Sequence, residues 1–78
     1  MKLFRRNKPS ELTIRTEELQ VGDRFAYEGT LVKVDQLRTG PDKDKTYLRL
    51  EVLHPLDRTV WNYRSVATYN ELLITVIR

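Results

Sequence analysis

The sequence predicts an all-β fold: a small antiparallel barrel of five to six short strands over residues 11–78, preceded by a disordered basic arm over residues 1–10. Three observations predict it. Apolar residues alternate with polar ones in segment after segment, the period of a half-buried strand. Turn formers punctuate those segments at short intervals, as at Gly22-Asp23, Glu28-Gly29, Thr39-Gly40-Pro41 and His54-Pro55. No segment sustains a helical period long enough for a packed helix. Curling such a sheet covers most of its edges, which is why a barrel is expected over a flat sheet.

The elements follow in order. Glu11–Arg15 alternates, with Leu12 and Ile14 on one face, and predicts a strand. Thr16–Leu19 predicts one helical turn capped by Thr16. Arg24–Glu28 places Phe25 and Tyr27 on one side, and Gly29 then supplies the positive φ that a hairpin needs. Leu31–Leu37 predicts the return strand, with Val32 and Val34 on one face and Leu31 and Leu37 on the other beside Lys33 and Asp35. A polar loop, Thr39–Lys45, precedes the clearest strand, Tyr47–Leu53, whose Leu48, Leu50 and Val52 point inward. After the His54–Arg58 turn, Thr59–Arg64 predicts a strand, and Ser65–Asn70 reads as an irregular link. Leu72–Ile77 is apolar on both faces, as expected of a central or covered strand.

Composition narrows the chemistry. Seventy-eight residues make one domain, and a domain near this size buries only about 60% of the surface its unfolded chain exposes. There is no cysteine and a single histidine, His54, so neither a disulfide nor a zinc site is expected to staple the thin core. The absence of cysteine, of an apolar run long enough to span a bilayer and of a signal-type h-region leads to the expectation of a cytoplasmic protein. The net charge of +3 is uneven. Lys2, Arg5, Arg6 and Lys8 give the arm +4, and the other ten basic and eleven acidic residues leave the body at −1.

Leu19-Gln-Val-Gly-Asp-Arg-Phe25, then Glu28-Gly29 and Val32-Lys-Val34, resembles the SH3-like barrels of translation proteins: KOW-type domains and the first domain of elongation factor P. The order of turn, strand, glycine hairpin, strand, exposed loop (Gly40–Lys45) and Leu48-Arg49-Leu50 follows that pattern over residues 16–64. The resemblance implies an SH3-like barrel. In elongation factor P the loop tip carries a lysine flanked by glycines. Here it reads Asp42-Lys43-Asp44-Lys45, so the modified-lysine role is not carried over to Lys43 or Lys45. The chain also resembles small proteins of actinobacteria and their phages, which implies no activity.

No motif for catalysis stands out. His54 precedes Pro55 with Asp57 nearby and reads as a turn histidine, and no glycine-rich phosphate loop or metal-spaced carboxylate cluster is present. No enzyme activity, cofactor or metal is expected. Phe25 and Trp61 are expected in the core, where large rings contribute most to burial, and Tyr47 is the best candidate for an exposed ring. The leading expectation is a nucleic-acid-binding module with little sequence preference. Lys2, Arg5, Arg6 and Lys8 would neutralise phosphates, and Tyr47, Arg49 and Arg64 would form a weaker secondary surface. The rival is a protein-interaction module or self-associating subunit that uses an exposed edge strand and the second apolar face at Leu73 and Ile77. A small-ligand carrier has no positive feature in the sequence, because small barrels fill their interiors with side chains.

Overall fold

The computed structural model describes residues 11–78. The arm expected over residues 1–10, with Lys2, Arg5, Arg6 and Lys8, lies outside them. The chain runs β1 (Glu11–Arg15), a 3₁₀ turn (Thr16–Glu18), β2 (Arg24–Tyr27), β3 (Thr30–Arg38), β4 (Lys45–Leu53), β5 (Val60–Tyr69) and β6 (Leu73–Ile77). All six strands belong to one antiparallel sheet in the order β1-β6-β2-β3-β4-β5. The all-β architecture is as expected, and β6 is an interior strand.

The sheet is not closed. β1 and β5 are its two edges, and no ladder joins them. β5 pairs with β4 along its whole length, from Leu53↔Val60 to Lys45↔Tyr69, and among the described residues no strand lies on its other side. The 3₁₀ turn packs against β4 and β5 instead. Thr16 is not its cap. Thr16 lies within the turn, fully buried, and donates both its N–H (2.9 Å) and its hydroxyl (2.8 Å) to the carbonyl of Leu72. The capping role falls to Glu18, whose carboxylate accepts the Arg15 N–H at 2.8 Å.

Curvature makes one face of this single sheet into the core. Phe25, Val32, Val34, Leu48, Leu50, Val52 and Val76 pack together with Leu19 from the segment before β2. These are the alternate positions of β2, β3, β4 and β6, so period two selects the buried set. Ile14, Tyr27, Val66 and Ile74 extend the cluster at its margins.

Three expectations are corrected. Ser65–Tyr69 is strand, because Ser65, Val66, Ala67, Thr68 and Tyr69 face Arg49, Leu48, Tyr47, Thr46 and Lys45. Leu37 lies on the core face. A bulge between Val34 and Gln36 shifts the register, so that Leu37 stands opposite buried Leu48 at the rim, 48% exposed. Trp61 is not in the core. The ladder passes from Val52↔Asn62 to Leu53↔Val60, which leaves Trp61 as the extra residue of a second bulge, 62% exposed.

Two polar junctions fix the ends of strands. Asp23 is 2% exposed and receives the Arg78 guanidinium on both carboxylate oxygens, at 2.9 Å each, and the Gln20 N–H at 2.8 Å. Arg78 also reaches the Glu18 carbonyl at 3.3 Å, so the end of β6 is tied to the turn before β2. Asn70 uses every polar group it has. Its N–H bonds Asp44 (2.9 Å), its carbonyl accepts from Glu17 (3.1 Å), its side-chain oxygen accepts from Thr46 (2.7 Å), and its side-chain nitrogen donates to Lys43 (2.8 Å).

The Arg78 hydrogen bond holds the Asp23 carboxyl below the ordinary carboxylate range, against the opposing effect of burial. A folded-state value below the unfolded one stabilises the fold above the unfolded value, and that stability is lost as the pH falls through the folded value. The acid limb of stability below about pH 4 should therefore be shallower in Asp23→Asn than in the wild type, as read from urea midpoints at a series of pH values. Asn70→Ala removes two side-chain hydrogen bonds and should cost about 1–3 kcal/mol. It should also accelerate hydrogen exchange at Lys45, whose N–H bonds the Asp42 carbonyl.

Candidate functional site

The unpaired side of β5 borders an opening into the core. A cavity of about 160 Å³ lies there, lined by Leu19, Phe25, Leu48, Val66, Leu72 and Ile74, with Ala67 and Thr68 of β5 at its edge. A cavity of this size in other proteins accepts a benzene-sized group. The opening exists because β5 follows β4 to its end at Tyr69, while β6 leaves toward β1 and β2. Over Ser65–Tyr69, β5 carries no charged side chain, and such a stretch of backbone is a template for another strand.

Arg64 guards the other half of the strand. It stands opposite Leu50, on the core side of the sheet. Its guanidinium leaves that face to bond Glu28 at 2.7 Å and to lie over the Tyr27 ring, 5.3 Å from the centroid. The ion pair joins β5 to the β2–β3 hairpin by side chains where backbone pairing is missing. Glu28 holds a left-handed φ of 50° at that hairpin, next to Gly29 at 78°.

The expected surface of Tyr47, Arg49 and Arg64 does not assemble. Tyr47 and Arg49 alternate onto the outer face of β4, whereas Arg64 belongs to the inner face of β5. Arg49 lies 3.5 Å from the Asp35 carboxylate and covers the Tyr63 ring, 4.1 Å from its centroid. Lys33 stands opposite Glu51 across the β3–β4 ladder. The basic groups of the sheet therefore alternate with acids and do not form one positive field. Tyr47 is half-buried. Its hydroxyl accepts the Asp42 N–H at 3.2 Å, and its ring fills the space where a Cβ on Gly40 would stand.

Leu73 and Ile77 share the outer face of β6, opposite Arg15 and Glu11 of β1. Leu73 is 66% exposed and Ile77 is half-buried. His54 is engaged within its own turn, its Nδ1 accepting the Leu56 N–H at 3.1 Å and lying 3.6 Å from Asp57. Thr59 holds the Asp57 carboxyl below its ordinary range by two hydrogen bonds. Among the described residues, no group of three His, Asp or Glu side chains converges as a metal site would, and no helix is long and apolar enough to cross a membrane.

The fold and its surfaces define a small all-β domain: one open, strongly curved sheet with an apolar opening beside one edge. No family model matches the chain, and neither a curated protein nor a solved structure matches it significantly.

Sequence reasoning missed the β5 edge because Ser65-Val-Ala-Thr-Tyr69 mixes small and polar residues with one modest apolar group. The signal that remained was β-branched Val66 and Thr68 at alternate positions. Gly40→Ala should displace the Tyr47 ring and cost about 1–3 kcal/mol, with the loss of the Asp42–Tyr47 hydrogen bond visible as faster exchange of the Asp42 amide.

Proposed function

We propose that this chain is a non-enzymatic protein-interaction module that takes an extended segment of a partner onto the outer edge of β5. The observation that carries the reading is the opening beside Ser65–Tyr69, where an unpaired strand edge and an uncovered part of the core coincide. A segment paired with β5 bonds its main chain to the edge and directs alternate side chains toward Leu19, Phe25 and Leu72. Backbone pairing then supplies affinity, and the cavity supplies selectivity for an apolar side chain. The exposed Leu73 on the outer face adds apolar surface that a larger partner would cover. The alternation of acids and bases on the outer face of β3, β4 and β5 leaves that face near neutral, which suits a protein partner.

Peptides selected from a random display library against the folded domain should protect amides of Ser65–Tyr69 from hydrogen exchange. They should also lose tenfold or more in affinity to Thr68→Lys, which places a charge on the core side of β5 at the opening. Selected peptides that leave β5 exchange unaltered, or that bind Thr68→Lys equally well, would refute strand addition. Concentration-dependent self-association abolished by Thr68→Lys would make a second copy of the chain the occupant.

A further inference from the structure

At the other end of β5 from the opening, the turn between β4 and β5 builds a second feature. A shallow cleft of about 400 Å³ lies between this turn and the β2–β3 hairpin, lined by Thr30, Leu31, Leu53, Pro55, Arg58 and Trp61. We propose that this cleft is a stacking subsite for one base of a single-stranded nucleic acid, with Trp61 as the platform and Arg58 as the contact to the adjoining phosphate.

Four observations converge on it. Trp61, the inserted residue of the β5 bulge, is 62% exposed, although burial of the largest ring of the chain would have been its most stabilising use in so small a core. Bulges are common beside functional sites. Arg58 holds a left-handed φ of 63°, a conformation that suits glycine and is uncommon for a long side chain. The turn imposes it, because the Arg58 N–H bonds the His54 carbonyl at 2.9 Å and the His54 N–H bonds the Thr59 carbonyl at 2.7 Å. Keeping an arginine at a position suited to glycine brings a cation to the mouth of the cleft.

The lining also contains that one cation and no acid. The neighbouring Asp57 is turned toward Thr59, whose N–H and hydroxyl bond its Oδ1 at 3.0 and 2.7 Å. This is the place on the described surface where an arginine and an exposed ring adjoin with neither already engaged by the other groups of the sheet. Tyr63 is covered by Arg49, and Tyr27 by Arg64. Finally, residues 1–10 add four positive charges and no acid to the same chain, which matches a polyanion.

A proline-rich peptide is the competing occupant. Grooves for such peptides are lined by several aromatic rings, and this cleft has one. Base stacking needs one ring and one cation and tolerates any base, because every base has a π-face.

Trp61 is the only tryptophan in the chain, so its fluorescence reports directly on the cleft. Titration of the full chain with a short oligothymidylate at low salt should quench the indole saturably, and an oligouridylate should quench it alike. Trp61→Leu should weaken binding of a dye-labelled oligothymidylate about tenfold. Arg58→Gly should weaken it severalfold while its melting temperature stays level or rises, since glycine suits the left-handed backbone. That pairing separates a binding role from a folding one. The proposal is overturned by oligonucleotide binding without a change in indole emission, by no binding at all, or by unaltered affinity in Trp61→Leu. Quenching by a proline-rich peptide but not by the oligonucleotides overturns it in favour of that ligand. None of these outcomes bears on strand addition at Ser65–Tyr69, so the two readings fail separately.

Discussion

The constraint on which this structure turns is that, among the described residues, β5 is paired on one side only. Its ladder with β4 occupies the full length of both strands, and no ladder joins it to β1. The ends of the sheet are therefore brought together by something other than strand pairing. On one side the 3₁₀ turn hands its donors to the carbonyls of Asn70 and Leu72. On the other, Arg64 spans to Glu28. Between these two closures the apolar interior meets the surface. A hydrophobic core this small has few residues to spare, and burying its concave face depends on the curvature that these connections maintain.

Two irregularities shape what the sheet presents. The bulge in β3 bends the strand and moves Leu37 to the core side opposite Leu48. The bulge in β5 leaves Trp61 unpaired between Val60 and Asn62, at a position that alternation from outer-face Tyr63 already turns outward. Each inserts one residue into an otherwise regular ladder, and each changes the face of every side chain beyond it. The charges are arranged just as locally. Arg49 with Asp35, Arg64 with Glu28, and Arg78 with Asp23 are matched pairs on three different parts of the sheet. The body's near-neutral balance is thus built pair by pair and not by a division into positive and negative halves.

The period-two pattern of the sequence shows where the strands are and which residues they bury. Leu48, Leu50 and Val52 in β4, and Val32 and Val34 in β3, occupy the core as their alternation predicts, because a strand with one wet face leaves no other choice. The hairpin at Gly29 was legible for a similarly local reason, its backbone φ of 78°. Ring size suggested a buried Trp61, and only the register with β4 reveals that it is an inserted residue. The split of Arg49 from Arg64 onto opposite faces is likewise a property of two strands paired in one register, which neither strand's sequence contains by itself. Closure depends on how far β5 runs, and Ser65–Tyr69 offered too little apolar contrast to show that it continues. The strands were therefore readable one at a time, and the opening beside them was not.

The inward position of Arg64 has a consequence for assembly. Two copies that paired edge to edge through β5 would use up the free side of both strands, so growth could not continue through β5. Arg64, solvated and held by Glu28, would lie beside that seam and oppose pairing over its half of the strand, whereas Ser65–Tyr69 offers a length of edge with no charge. The rim therefore suits one visiting strand over its uncharged half, and assembly through it ends there.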